Sequence, residues 1–349
     1  AEFGVPGSRG LTHKNPFGWN QGFHSEEEQG KIISRLFEDI MAEKLLGGLV
    51  FTWQDEWFKR TWNTVDYDNP DRRPYWSNAQ TNEQQFGLLS FDRHKIRVDG
   101  KTEEWKGKPI YEKKDGSIRS LYVDHDERYL YIRLDYDTSF TGYPLILLDV
   151  VPDQGNTKFE GLPNISFTNG IDFIVNLKQS ESRLLVDQYY DFFSYQYGHV
   201  LNLLKPKPKP KPETPSLDSG KFVKEQYALN KELYLPQQKT TLPFESYEAG
   251  KLKRGNGNPE ASDYNSLADY YIADGKIELR IPWLLLRAKD PSQKEFMGDL
   301  YKDGIEASKF VDEIFVGALL LNEQDILQDT FPSMEARVLP KLSSYTWDK

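Results

Sequence analysis

A chain of 349 residues has room for two domains, each able to bury a core of its own. Its net charge of −10 and the lack of a long basic stripe argue against electrostatic capture of nucleic acid. No cysteine is present, which removes disulfides, thiolate catalysis and cysteine-ligated zinc, and no apolar run approaches membrane-spanning length. Eight Trp, twenty Tyr and twenty Phe suit a β-rich protein with exposed rings. Such rings also stack well on the C–H face of a pyranose.

In chain order, Ala1-Glu2-Phe3-Gly4 opens without an initiator Met or a signal peptide, so a preceding segment of the same protein is expected. Ala1 to Val5 reads as the end of a strand, followed by a Gly-rich loop through Gly22. Ser25-x-x-Glu28 is a capping box with three Glu in the first turn. Ile32, Ile33, Leu36, Phe37, Ile40 and Met41 then recur at helical spacing. Gly47-Gly48 stops the helix, and the apolar run from Leu49 to Trp53 predicts a short strand buried on both faces. Residues 1–53 thus read as one parallel β-α-β unit.

From Asn63 to Phe91 the spacing predicts loops, rich enough in aromatics to pack closely against their neighbours. Near Lys95 the pattern changes. Ile96–Gly100 predicts a strand and turn, and Ser117–Asp124 with Tyr129–Tyr136 alternate in period two around a polar turn, as in a hairpin. Further strands are predicted at Pro144–Val150, Ile171–Leu177, Arg183–Gln188, Lys276–Ile281 and Ile314–Leu321. The expected fold is mainly β with a small α/β part: a partial (β/α) barrel remnant over residues 1–94, then an antiparallel β-sandwich over 95–349. The alternating Lys-Pro ladder that starts at Lys205 forbids helix and ladder alike, and predicts an exposed polyproline loop inside the sandwich at about 205–215.

Glu2 stands at the C-terminal end of a parallel strand, where barrel enzymes keep their catalytic groups. Glu2-Phe3-Gly4 resembles the seventh-strand motif of the glycosidase barrels related to family 5 cellulases, and Leu49–Trp53 resembles their eighth strand. The resemblance implies that Glu2 is a nucleophile and Trp53 a floor for a sugar ring. A retaining glycosidase needs a second carboxylate about 5 Å away. In that family the acid/base follows the fourth strand, a part of the barrel not contained in this chain, so the chain alone is expected to be inactive. Asp55, Glu56 and Asp66 read as solvated loop acids or partners of Lys59, Arg60, Arg72 and Arg73. His13 and His24 lack metal-ligand spacing, though His24 is a candidate to line a sugar subsite.

The segments Val98-Asp99-Gly100…Glu104-Trp105, Asp126–Ile132 and Glu278–Trp283 resemble family 9 carbohydrate-binding modules and the related DOMON-type sandwiches. The resemblance implies an extracellular or cell-surface protein whose partner is a polysaccharide or oligosaccharide. No convincing Met/His pair suggests haem. Trp105 and Trp283 read as core. Within the aromatic run from Asp187 to Tyr197, Tyr189 and Tyr195 are candidate stacking rings, unless alternate rings turn inward as in a strand. Asp149, Asp153 and Asn156 flank a tight loop and either hold a structural Ca²⁺ or form the loop's own turn, which is preferred. No cofactor for catalysis is expected.

Overall fold

The computed structural model describes residues 1–348 apart from 16, 18, 70–75, 91–93 and 205–212. The Lys-Pro ladder, and Arg72 and Arg73, therefore lie outside the described residues.

The opening segment forms the expected parallel unit. Strand β1 (Glu2–Phe3) pairs with β4 (Leu49–Val50), with Glu2 opposite Leu49 and Phe3 opposite Val50. Between them come the hairpin strands β2 (Leu11–Lys14) and β3 (Asn20–Gly22), and then helix α1 (Glu26–Ala42). The helix starts where its capping box places it. Ser25 Oγ accepts from the Glu28 amide at 3.2 Å, and the Glu28 carboxylate accepts from the Ser25 amide at 2.7 Å. The strand expected from Leu49 to Trp53 needs correcting: it is two residues long, and Leu49 is 70 % exposed rather than buried on both faces. Helix α1 likewise buries only Gln29, leaving Phe37 and Met41 of its apolar stripe in solvent. Helical periodicity set the stripe, of which Ile32, Ile33, Leu36 and Ile40 are half-buried and Phe37 and Met41 exposed.

The remainder is built on two antiparallel sheets. One contains β5 (Tyr111–Glu112), β6 (Ile118–His125), β7 (Tyr129–Tyr136) and the strands Lys276–Pro282 and Tyr270–Ala273, in that spatial order. The other is seven-stranded, with β8 (Tyr143–Asp149) at its centre between Phe173–Asn176 and Ile314–Leu321. Leu121, Ile132, Leu134 and Leu279 of the first sheet share a core with Ile146, Leu148, Val175 and Val316 of the second. Leu145 and Leu147 of β8 face the opposite side and pack with Ile171, Phe167 and Leu339. Period-two geometry thus sends one apolar run into two cores, and every residue of β8 is buried. Each such Leu or Ile contributes about 1.5–3 kcal/mol.

Ile96 and Val98 are fully buried, but Ile96–Gly100 joins no ladder, so it is a packed loop rather than the expected strand.

Residues 1–94 are welded to the sandwich by polar groups. Arg9 is buried, and its Nε donates to Asp269 at 2.7 Å. Its terminal nitrogens donate to Gln80 at 2.6 Å, to the Ala249 carbonyl at 2.8 Å and to the Lys251 carbonyl at 3.0 Å. Tyr67 enters the main core and packs on Phe192 and Tyr227 at centroid distances of 4.1 and 4.8 Å. The polar run from Asn78 to Gln85 is almost wholly buried: Asn82 and Gln84 donate to the Gln21 and Lys59 carbonyls of neighbouring loops, and Gln85 donates back to the Ala79 carbonyl of the run itself. The loop region packs closely, as expected, though largely through amides and hydroxyls.

Candidate functional site

Glu2 is exposed on β1, and the neighbouring Phe3 stacks on Phe37 of α1 at 6.4 Å. Gly4 must be glycine: a Cβ there would lie 2.3 Å from the Phe51 carbonyl oxygen. Beyond β4, Trp53 is 67 % exposed, with its carbonyl tied to the Leu89 amide at 3.0 Å. Of the nearby acids, Asp55 is buried and accepts from the Gly87 amide at 3.0 Å, and Glu56 pairs with Lys59 at 3.5 Å. Burial pushes the Asp66 carboxyl above its ordinary range. His24 is half-buried, with Nε2 at 3.4 Å from the Asn20 carbonyl, and His13 lies at 6.4 Å from the Trp62 ring.

The aromatic run from Asp187 to Tyr197 is not a strand. It winds through a 3₁₀ turn at Gln188–Tyr190 and a π-helix at Ser194–Val200. That winding sends Tyr190, Phe192, Phe193 and Tyr197 into the main core. Tyr189 is 7 % exposed and donates to Asp299 at 2.8 Å. Tyr195 is half-buried, stacks on His199 and meets Tyr301 edge-on at 5.1 Å. Tyr189 and Tyr195 are thus joined through Tyr301 into a folded aromatic knot, not a flat platform.

Asp149, Asp153 and Asn156 have separate employments. Asp149 is buried and accepts from Asn169 at 2.7 Å, and burial pushes its carboxyl up to about 6. Asp153 points into solvent with φ +68° and pairs with Lys309 at 3.7 Å. Asn156 is fully buried, donating to Asp187 at 2.7 Å and accepting from the Gly220 amide at 2.7 Å. Among the described residues no group of three or more His, Asp or Glu side chains is placed to hold a metal.

The three sandwich motifs meet in space, and they hold the fold. Glu278 is fully buried and accepts from Trp105 Nε1 at 2.7 Å, the Gly100 amide at 2.6 Å and the Asp99 amide at 3.1 Å. Burial pushes its carboxyl up to about 7, against those three stabilising donors. Asp126 caps the β6–β7 hairpin through the Arg128 and Tyr129 amides and accepts from Tyr131 Oη at 2.5 Å. Trp283 donates to the Asp126 carbonyl at 2.9 Å. Trp105 and Trp283 are core residues, as expected.

One concave site escaped the sequence. A cavity of about 700 Å³ opens at one end of the sandwich, within the size range of small-molecule pockets. Leu177, Tyr270, Ile277 and Leu320 are buried and form its floor. Tyr136 and Phe140, edge-to-face at 5.9 Å, make one wall, and Lys251, Lys253 and Arg254 stand exposed on its rim with Gln179 and Ser180. Phe23, from the opening unit, completes the mouth at 45 % exposure with φ +62°, a left-handed conformation rare for a bulky side chain. Its lining residues are scattered from 23 to 320, so no local spacing announces it. The chain matches no known protein family, and no curated protein matches its sequence.

Proposed function

We propose that this chain is the saccharide-binding, carboxyl-terminal part of an extracellular or cell-surface polysaccharide-processing protein. The cavity at the end of the sandwich carries the proposal. Ring faces and aliphatic floor suit the C–H surface of a sugar, while Gln179, Ser180 and the rim cations suit its hydroxyls. The aromatic-rich composition and the order of the sandwich motifs point the same way.

In the complete protein, residues 1–94 close a glycosidase barrel in which Glu2 is the nucleophile and Trp53 the ring floor. Support comes from the parallel β1–β4 pair and from the exposure of both residues, Glu2 as the first residue of β1 and Trp53 beyond the end of β4. Parallel sheets are ordinarily covered on both faces. Exposed Leu49, Phe37 and Met41 are surfaces that further β-α units would bury. The acid/base comes from that preceding segment. A second reading, a purely non-catalytic module, is favoured by the burial of Arg9 and Tyr67 against the sandwich, which makes residues 1–94 structural packing.

Binding of plant, fungal and bacterial polysaccharides by the chain tests the main reading, and a flat response across the set sinks it. Hydrolysis by the full-length gene product and its Glu2→Gln variant separates the two versions. Full activity in that variant removes the nucleophile assignment.

A further inference from the structure

We infer that the cavity at the end of the sandwich selects acidic saccharides, a uronic-acid-containing oligosaccharide being its ligand class. The inference rests on the saccharide-binding reading above and adds the charge of the ligand and the residues that read it.

The protein as a whole is strongly acidic, at −10, yet the cavity reverses that sign. Its described lining holds Lys251, Lys253 and Arg254 and no carboxylate. Among the described residues no side-chain ion pair engages these three, although the chain forms many elsewhere. Glu28 lies near enough to Lys253 to be influenced by it, but its carboxylate is already held by the Ser25 cap. Arg254 donates to the Ile272 carbonyl at 3.2 Å, which fixes its guanidinium at the rim. It stands close enough to Tyr136 to oppose the rise that burial causes in that phenol. A cation held beside a tyrosine ring and an aliphatic floor matches a sugar that presents a C–H face and a carboxylate together. A neutral sugar would leave the charge of these exposed rim cations unused. An aliphatic carboxylate offers the charge but not the hydroxyls that Gln179 and Ser180 can bind.

The cationic segment is also positioned from beneath. Arg9 holds the carbonyls of Ala249 and Lys251, and Asp269 accepts from the Lys253 amide at 2.8 Å. Phe23 at the mouth comes from the same opening unit as Arg9, so the mouth is complete only when residues 1–94 and the sandwich are docked.

Calorimetric titration of the whole chain with trigalacturonate, with the neutral trisaccharides cellotriose and xylotriose, and with decanoate tests this. Trigalacturonate is expected to bind roughly tenfold or more tightly than the neutral sugars, and to weaken with added salt. The Lys253→Ala/Arg254→Ala double variant, exposed and outside the core, is expected to lose that preference while retaining its melting temperature. Phe23→Ala, also exposed, is expected to weaken acidic and neutral sugars alike. Equal binding of acidic and neutral trisaccharides overturns the inference while leaving the saccharide reading intact. So does trigalacturonate binding that ignores the double variant. Binding of decanoate without any sugar overturns both, as does binding of no ligand at all.

Discussion

Replacing Arg9 with Met removes one side chain that joins four separate segments. The guanidinium is buried and holds Asp269 through Nε at 2.7 Å, with a longer second contact at 3.4 Å. It also satisfies Gln80 and the carbonyls of Ala249 and Lys251. Methionine keeps most of the volume but leaves the Asp269 carboxylate, itself 3 % exposed, without its cation. Breaking one side of a buried pair costs about 3–5 kcal/mol. With an unfolding entropy of about 2.1 cal/mol/K per residue, a cooperative unit of this length loses about 0.7 kcal/mol per degree, so melting falls by roughly 4–7 °C. Scanning calorimetry reads both the shift and its shape. A single transition is expected, because residues 1–94 share the sandwich core through Tyr67. Arg9→Lys keeps the charge but not the fork, and is expected to fall between wild type and Met. A shift under about 1 °C, or a first step that leaves the sandwich melting as in wild type, would refute the reasoning.

Stability should fall as pH rises from about 5 to 8. Glu278 ionises near 4.5 when free and is pushed up to about 7 by burial, so below the lower value it is neutral in both states. Above the higher value the folded state carries a buried charge, a difference worth roughly 3 kcal/mol. Glu225, pushed up to about 7, and Asp187, up to about 6, act in the same direction. Half-buried His94, whose pKa is lowered by desolvation, acts in the opposite one. Urea denaturation across this window is expected to show a shallower slope for Glu278→Gln than for wild type, and identical slopes count against the assignment. Trp53→Ala should leave stability within about 0.5 kcal/mol, because the ring is mostly in solvent, while reducing retention on an insoluble polysaccharide column. Undiminished retention removes Trp53 from the binding surface. Asn156→Ala should cost about 1–3 kcal/mol by stranding Asp187 and the Gly220 amide. EDTA should leave the wild-type melting temperature unchanged, since both polar ends of Asn156 are already engaged; a drop would restore the calcium reading.

What the sequence determined by itself is what period and punctuation can carry. The Ser25–Glu28 cap placed the start of α1 within a residue, and the alternation in Tyr129–Tyr136 and the apolar run in Ile314–Leu321 marked both strands to the residue. These are short-range signals, governed by hydrogen-bond geometry that repeats every two or three to four residues. The aromatic run after Asp187 left a stacking platform and a strand both open, and packing against the core selects tight helical turns instead. The polar stretch Asn78–Gln85 looks solvated by composition. It is buried because Asn82 and Gln84 donate to the distant Gln21 and Lys59 carbonyls and Gln80 accepts from Arg9, contacts that no local window contains. The role of Glu278 was hidden likewise, since its donors lie more than 170 residues away. The cavity is the extreme case: Tyr136, Lys253 and Leu320 become neighbours only when the sandwich folds, and Phe23 joins them only when the opening unit docks on it. Tertiary structure decided that site because its chemistry comes from summed charge and shape, which no stretch of chain carries alone.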